Sequence, residues 1–402
     1  MRAVHLPSHV GHAVGWDDAR ELAHAAATPL SPRALPLTQA LGAVLADPLI
    51  ALTAFPPCDR SAMDGYAVRG PGPWTVIGTN RAGSGYAGRL TDGQAVAIVT
   101  GAAVPAGASA VLPDEDVLRE GNLVHGTPGP KRHIRYAGEE CRASEVLLPA
   151  GTLVRPAVLG HAAALGHDQL TVIPRPRVAA LVTGDELVTT GLPGPGRTRD
   201  AIGPMLPGLL HQATALPLQR VQDSRRLLID ALAQADADLI LVSGSSAAGP
   251  ADHLRPSLEA LGATLLVDGV ACRPGHPQAL ALLPDGRLVI GLPGNPLAAL
   301  TAFLTLAVAA IAGLRGEPLA SLPTAPIHGG LDCHPANTRL VPVRLRDGAA
   351  EPVGHAGSAM LRGVAMADAL AVVEPGPATA ITARLLPLGF GFPGQGEHAW
   401  AD

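Results

Sequence analysis

Lysine is almost absent from the sequence. Lys131 is the only lysine among the 29 basic residues, so arginine carries nearly all of the fixed positive charge. Aromatic residues make up 2% of the chain, and the net charge is −5 at pH 7. Nucleic-acid-binding domains typically present a basic patch or stripe, often with aromatic side chains on which bases can stack. The composition offers no such surface, and we expect no nucleic-acid partner.

Cysteine is scarce and widely spaced. The four cysteines are Cys58, Cys141, Cys272 and Cys333, and no two of them form a CxxC pair. This spacing argues against a zinc knuckle and a disulfide framework, and it suits a reducing compartment. The first twenty residues lack the charged and then apolar pattern of a signal peptide. We therefore expect a cytoplasmic protein.

A single apolar run is long enough to raise the question of a membrane. The run is LAALTAFLTLAVAAIAGL, residues 297–314, and about 20 such residues can span a bilayer. It is rich in alanine and directly follows a strand-and-turn pattern. We interpret it as a buried helix and expect no membrane association.

The 402 residues, 47% of them hydrophobic, are enough for about two to four domains. Residues 15–48 carry apolar positions at helical spacing and are predicted to be helical up to Pro48, and a further helix is predicted over 156–165. From 55 to about 135, short apolar runs are separated by glycine and proline, which indicates a small β-rich domain. In 177–315, apolar strands alternate with helices, which is typical of a mostly parallel sheet.

We therefore predict a multidomain α/β and β protein. It has a central α/β/α domain on a mostly parallel sheet, small β-rich domains and an elongated linking domain. The predicted boundaries are 1–54 plus 136–175 for the linking domain, 55–135 for a small β domain, 176–317 for the α/β domain and 318–402 for a C-terminal β domain.

Polar residues and glycines follow all three apolar strands of the predicted α/β domain. Asp185 and Glu186 follow the first strand, a GSSAAG stretch and Asp252 follow the second, and Asn295 follows the third. Ligands of open α/β sheets bind beyond the carboxyl ends of the strands. A glycine-rich loop that leads into a helix can bind an anion, and carboxylates at the same edge suit a divalent cation that bridges to phosphate. Each segment alone is also compatible with an ordinary turn; their placement at three successive strand ends favours a site.

Two further segments contain residues that could bind a ligand or take part in a reaction. In RPGHP, Arg273 and His276 flank a Pro-Gly turn and could bind phosphate or another oxyanion, although a solvated turn has the same pattern. In PPCDRSAMDGYAV, Asp59, Ser61 and Asp64 lie within six residues, after two prolines.

The sequence resembles one family over nearly its whole length. The matching segments are, in order, DRSAMDGYAV, IVTGAAVPAGASAVLPDED, LVTGDELV, SGSSAAGPADH, RPGHP, GLPGNPLAALTAF and GSAML. This order is similar to that of the MoeA-type molybdopterin molybdenumtransferases, which include the E domains of gephyrin and of Cnx1. SAMDGYAV and GLPGNP are the most specific of these motifs.

The resemblance implies a four-domain homodimer that inserts molybdate into adenylylated molybdopterin and releases AMP, with Mg²⁺ required. The enzyme that adenylylates molybdopterin is a possible protein partner. The resemblance implies catalytic roles for Asp59, Ser61, Asp64, Thr100, Glu186 and Asp252. The residues implied to bind the molybdopterin substrate are Gly184, Asp185, Gly244, Ser245, Ser246, Gly249, Arg273, His276, Pro293, Gly294, Asn295, Arg339 and Ser358. The implied metal ligands are Glu186, Asp223 and Asp252.

The chain departs from the family pattern in several places. Ser245 and Ala247 stand in a loop that usually reads GGVSVG, and Ala201 and Ile202 stand where the family has DSN. Arg273 and His276 replace two lysines, and Glu140 stands where aspartate is common. These departures leave a second hypothesis open, a non-catalytic homodimer that binds the pterin or acts as a scaffold. A dinucleotide-dependent oxidoreductase is disfavoured, because no GxGxxG follows the first strand.

Overall fold

The computed structural model describes residues 13–245 and 252–388. Ser246 and Gly249, two of the predicted binding residues, and Ala247 therefore lie outside the described residues. The chain divides into two compact units: residues 33–172 form one, and the segments before and after them form the other. The four-part domain division stays a prediction.

The first helix of the described chain is α1 (Trp16–Ala26). Asp17 and Asp18 in its first turn suit the positive end of the helix dipole. The buried residues of α1 recur at intervals of three or four and define its packing face; they are Trp16, Ala19, Arg20, Ala23 and Ala26.

The prediction that helix extends to residue 48 is wrong. The segment after α1 forms strand β1 (Arg33–Pro36), a 3₁₀ turn and strand β2 (Val44–Leu45). Proline lacks an N–H and disfavours helical geometry at the residue before it, so Pro32 and Pro36 prevent a continuous helix. Instead, β1 pairs antiparallel with strand 169–173, in the register Arg33↔Val172.

The 33–172 unit is built mainly of short strands. Helix α2 (Pro156–Ala164) confirms the helix predicted over 156–165. The strands after β2 are β3 (Leu49–Ile50), β4 (Arg60–Ser61), β5 (Gly65–Val68), β6 (Trp74–Asn80), β7 (Gln94–Ile98), β8 (Ala110–Pro113), β9 (Leu118–Glu120), β10 (Leu123–His125), β11 (Ile134–Arg135), β12 (Val146–Leu148) and β13 (Gln169–Ile173). Six of them form one sheet in the order β8-β5-β7-β6-β10-β9. Tyr66, Trp74 and Leu112 are buried in its core, as expected for a small β-rich region.

The other unit contains the α/β sheet and the C-terminal sheet. Besides α1, its helices are α3 (Ile202–Leu209), α4 (Arg225–Gln234), α5 (Leu254–Ala260), α6 (Pro296–Ala302), α7 (Val308–Leu314) and α8 (Arg362–Ala365). Its strands are β14 (Arg177–Thr183), β15 (Leu187–Val188), β16 (Thr198–Arg199), β17 (Thr214–Ala215), β18 (Gln219–Val221), β19 (Leu239–Ser245), β20 (Thr264–Asp268), β21 (Cys272–Arg273), β22 (Ala279–Leu282), β23 (Leu288–Pro293), β24 (Thr324–Asp332), β25 (Thr338–Arg346), β26 (Ala349–Pro352), β27 (Ala369–Val373) and β28 (Thr379–Pro387).

The central sheet is mostly parallel, as predicted. Its order is β17-β14-β19-β23-β22-β20, with β18 also paired to β14. Strand β14 is parallel to β17, β18 and β19, and β19 is parallel to β23, whereas β22 and β20 are antiparallel. Alternate residues of β19 enter different cores: Leu239 and Leu241 pack on one face, and Ile240 and Val242 on the other. This two-sided burial explains why the strand is continuously apolar.

The long apolar run forms a buried helix, as predicted. A continuous helical segment, Pro296–Leu314, comprises α6, a π-helical turn (Phe303–Ala307) and α7. It is long and apolar enough to cross a membrane, but 94% of its most apolar stretch is buried inside the protein. Helix α1 lies against it so closely that a Cβ at Gly313 would come within 2.5 Å of the His24 carbonyl oxygen.

The C-terminal sheet is joined to the α/β region by one short strand. Its order is β21-β25-β26-β24-β28-β27. Strand β21 pairs parallel with β25, in the register Cys272↔Thr338 and Arg273↔Arg339. Two arginines that are 66 positions apart in sequence are therefore neighbours in one sheet.

Candidate functional site

Three strand ends meet at one edge of the central sheet. The Thr183 hydroxyl at the end of β14 donates to the Ser243 carbonyl oxygen of β19 at 2.7 Å. Gly244 has φ +91°, and a Cβ there would lie 2.3 Å from Thr183 Oγ1. A Cβ at Gly294, in the turn after β23, would be only 3.8 Å from the Gly244 Cα. This close approach of the loops requires glycine at position 244.

Asp185 and Asp223 form reciprocal hydrogen bonds at this edge. The backbone N–H of Asp185 donates to Asp223 Oδ2 at 3.1 Å, and the backbone N–H of Asp223 donates to Asp185 Oδ1 at 3.2 Å. Both residues are exposed, and so is Glu186. Among the residues that the structure describes, none of these three carboxylates forms an ion pair. Their charge is therefore available to a cation.

Asp252 lies near Asp223 but is already paired. Both residues line an opening about the size of one water molecule, next to Gly244. Asp252 Oδ1 accepts the Leu254 N–H at 3.0 Å, and Oδ2 accepts from Arg255 Nη1 at 2.6 Å. Arg255 also donates to Asp268. Burial alone would lower the pKa of Arg255, but the two carboxylates raise it above its ordinary value. Arg255 is not among the predicted site residues, although the i,i+3 spacing of Asp252 and Arg255 is a sequence signal for this ion pair.

A cage of protein ligands for a metal ion is not seen at this edge. Within residues 13–245 and 252–388, no three His, Cys, Asp or Glu side chains lie together as such a cage requires. The structure brings Asp223 close to Asp185 and to Asp252. The metal-ligand assignments of Glu186, Asp223 and Asp252 stay predictions.

The RPGHP turn and the C-terminal sheet share a pocket. Arg273, Arg339 and Ser358 line a cavity of about 280 Å³ together with apolar residues. The Ser358 carbonyl oxygen accepts the Ala298 N–H of α6 at 3.0 Å, which ties this loop to the start of the long helix. Asn295 occupies the N-cap position of that helix, and Pro296 its first position, but the Asn295 side chain makes no capping hydrogen bond.

His276 is fixed by one ring nitrogen. Its Nδ1 lies 2.9 Å from the Val270 carbonyl oxygen, which can only accept, so Nδ1 carries a proton. The residue is exposed. In the neutral tautomer Nε2 is then an acceptor, and His276 donates from Nε2 only as the imidazolium.

The PPCDRSAMDG segment belongs to the 33–172 unit, where its carboxylates fix loops. Asp59 Oδ1 accepts the Ala137 N–H at 2.8 Å, and Asp64 Oδ1 accepts the Thr100 N–H at 2.5 Å. The hydrogen bonds from Thr100 lower the pKa of Asp64. Both aspartates are exposed, so each can still face a ligand. Their predicted catalytic roles, and that of Thr100, stay predictions.

Ser61 differs from its acidic neighbours because it is buried, with 1% of its surface exposed. Its hydroxyl donates to the Met63 carbonyl oxygen at 2.5 Å. The turn also depends on Gly65, where a Cβ would lie 1.9 Å from the Leu112 carbonyl oxygen. The hydroxyl of Ser61 therefore stabilises the local turn, and its predicted catalytic role stays a prediction.

Three family models match successive parts of the chain. Residues 14–166 match the MoeA N-terminal region (domains I and II). Residues 179–313 match a probable molybdopterin binding domain, and residues 324–380 match the MoeA C-terminal region (domain IV).

Curated relatives and a solved structure agree with these matches. The chain is 36% identical to molybdopterin molybdenumtransferase 2 of Mycobacterium tuberculosis over 298 residues, covering 68% of this chain and 72% of that one. It is 32% identical to molybdopterin molybdenumtransferase of Haemophilus influenzae over 302 residues, covering 72% and 74%. The crystal structure of a molybdopterin biosynthesis MoeA protein from Pyrococcus horikoshii superposes with a TM-score of 0.72 at 25% identity, covering 94% of this chain and 100% of that one. The chain belongs to the MoeA family of molybdopterin molybdenumtransferases.

Proposed function

We propose that the protein inserts molybdate into adenylylated molybdopterin and releases AMP and the finished cofactor. The observation that carries the proposal is the parallel register of β21 and β25, which places Arg273 beside Arg339 at a cavity of about 280 Å³. Guanidinium groups donate in a fork that matches an oxyanion. Two of them balance the double negative charge of molybdate, and the Ser358 hydroxyl adds a donor.

The turn lies next to this pocket. Arg273 and Pro274 line the cavity, and His276 is exposed two residues beyond Pro274. This position supports the assignment of Arg273 and His276 to oxyanion binding, with Arg339 and Ser358 on the neighbouring strand and loop.

The sheet edge suits the phosphate part of the substrate. Mg²⁺ keeps several waters and is often held by one or two carboxylates plus substrate phosphates, so it does not need a cage of protein ligands. Asp223 and Glu186 fit this role, together with Asp185, because they are exposed and unpaired in the described structure. Asp252 fits it less well, because Arg255 neutralises its charge. A bound Mg²⁺ would supply charge neutralisation at the phosphate oxygens.

The remaining assignments are proposals supported by family membership. We propose that the protein acts in the cytoplasm as a homodimer, that its substrate is delivered by the enzyme that adenylylates molybdopterin, and that Asp59, Asp64 and Thr100 take part in the reaction. The exposed carboxylates of the two aspartates support this part of the proposal. Gly184, Gly244, Ser245, Pro293, Gly294 and Asn295 would form the loops around the substrate.

The proposal is tested by incubating the protein with adenylylated molybdopterin, Mg²⁺ and molybdate and measuring AMP. We expect AMP release that depends on both Mg²⁺ and molybdate. Tight binding of the adenylylated pterin with no molybdate-dependent AMP release would instead identify a non-catalytic pterin-binding protein.

A further inference from the structure

The RPGHP turn is held from inside the protein by two buried polar side chains. Gln278 Nε2 donates to the Gly275 carbonyl oxygen at 2.8 Å. Thr301 Oγ1 lies 3.2 Å from the Pro274 carbonyl oxygen. Gln278 and Thr301 are both 0% exposed. The two carbonyl oxygens in the middle of the turn, of Pro274 and Gly275, are therefore both contacted by buried side chains.

Thr301 belongs to the long apolar helix, where polar side chains are rare. In Pro296–Leu314, the residues with polar side chains are Thr301 and Thr305, both completely buried. Threonine in a helix ordinarily bonds to a carbonyl of the preceding turn. Thr305 does so, donating to the Thr301 carbonyl oxygen at 2.7 Å, and it accepts from Trp16 Nε1 at 3.0 Å. Its partners are therefore the helix itself and α1.

Thr301 has the same local bond and a further contact with the turn. Its hydroxyl lies 2.8 Å from the Ala298 carbonyl oxygen of its own helix, so the side chain is satisfied without the turn. Yet it also approaches Pro274, and Gly275, at φ +108°, comes so close that a Cβ there would lie 2.6 Å from Thr301 Oγ1. The hydroxyl is thus the point at which the helix and the turn meet.

We propose that Thr301 is a positioning residue for oxyanion binding. Its hydroxyl carries one proton and lies between the Ala298 carbonyl oxygen of the long helix and the Pro274 carbonyl oxygen of the turn. This contact sets how the Arg273 side chain enters the pocket that it shares with Arg339. Gln278 supports the same turn one residue further along. The proposal rests on the proposed function, because it assumes that this pocket binds molybdate.

Thr305 provides a matched control for the test. Both residues are buried threonines one helical turn apart, and a Thr→Val change at either site replaces a hydroxyl with a methyl group of similar size. Thr301→Val removes the bond to the Ala298 carbonyl oxygen, and Thr305→Val removes the bonds with the Thr301 carbonyl oxygen and Trp16 Nε1, so both changes are expected to lower the unfolding midpoint. The change at 301 alone also removes the contact with the turn. Molybdate affinity therefore separates a positioning role from a structural one.

The experiment measures binding of sodium molybdate to the full chain by isothermal titration calorimetry. We expect Thr301→Val to raise the Kd by about five- to tenfold, which is the effect of one lost hydrogen bond. Thr305→Val should leave the Kd within about twofold of the wild-type value, and Thr301→Ser, which keeps the hydroxyl, should restore it. If Thr301→Val does not fold, Thr301→Ala removes the same hydroxyl with no added methyl contact.

The outcomes distinguish this inference from the proposed function. A wild-type protein that does not bind molybdate contradicts the proposed function of the pocket. A wild-type protein that binds, together with a Thr301 variant that binds equally well, overturns the inference alone. Equal weakening by Thr301→Val and Thr305→Val would also overturn it, because the effect would then come from general damage to the helix.

Discussion

Asp223 and Asp252 line the same small opening at the edge of the central sheet, but their carboxylates have different partners. Asp223 is exposed and is held by a backbone N–H, whereas the side chain of Asp252 is 7% exposed and paired with Arg255 at 2.6 Å. A backbone N–H orients a carboxylate without neutralising it, and a guanidinium removes its net charge. Proximity to the opening therefore does not make the two residues equivalent.

The largest effect is expected for Asp223→Asn. This change keeps the size of the side chain and removes the charge that is free to face Mg²⁺, so we expect the rate of AMP release to fall by about 100-fold or more. The unfolding free energy should change by less than about 0.5 kcal/mol, because the residue is exposed. The measurement is AMP release as a function of Mg²⁺ concentration.

Asp230 on α4 is a suitable control, since it is also exposed. Asp230→Asn should leave the Mg²⁺ dependence unchanged. Wild-type turnover of Asp223→Asn at every Mg²⁺ concentration would remove Asp223 from the metal site.

Asp252→Asn should show the opposite pattern. It breaks a buried ion pair with Arg255, which keeps Asp268 as a partner, so we expect a loss of about 1–2 kcal/mol in unfolding free energy. The Mg²⁺ concentration for half-maximal AMP release should change by less than about threefold. Denaturant unfolding measures the loss of stability, and the AMP assay measures the Mg²⁺ dependence. A shift in Mg²⁺ dependence as large as that of Asp223→Asn would show that Arg255 releases Asp252 to the metal.

Another comparison concerns two arginines on a single strand of the C-terminal sheet. Arg339 and Arg346 both lie on β25, but only Arg339 lines the pocket with Arg273. We expect Arg339→Gln to raise the molybdate concentration for half-maximal AMP release by about tenfold, the effect of one lost charge-assisted hydrogen bond. Arg346→Gln, at the exposed end of the strand, should leave it unchanged. Equal effects of the two changes would indicate long-range attraction of the anion without a defined site.

The strands of the α/β region could be predicted from the sequence because they are buried on both faces and are therefore continuously apolar. Strands β14, β19 and β23 were predicted from apolar runs alone, and the residues after them do lie at one edge of the sheet. The segment 31–48 was not predictable in this way, since β1 exists only through its pairing with residues 169–172. The pocket at Arg273 could not be predicted for a similar reason. Its second arginine, Arg339, lies beside Arg273 only because of the register in which β21 pairs with β25.

The partners of the site carboxylates were also beyond a linear pattern. Asp185 and Asp223 are 38 positions apart, and their reciprocal hydrogen bonds depend on β18 pairing beside β14. The sequence shows where the acidic residues are, whereas the fold decides which of them have a cationic partner.

The smallest effect is expected for Asp64, which extends the comparison to the 33–172 unit. Like Asp223, it is an exposed carboxylate held by a backbone N–H, and the hydrogen bonds from Thr100 lower its pKa below the ordinary value of 3.8. A lowered pKa means that the ionised carboxylate stabilises the folded state at pH values above 3.8, and that this contribution is lost as the pH falls through the lowered value. Asp64→Asn should therefore lower the thermal unfolding midpoint slightly at pH 7, and the difference from the wild type should disappear in acid. A difference that persists unchanged at pH values below that range would show that the charge of Asp64 is not what holds the Thr100 loop.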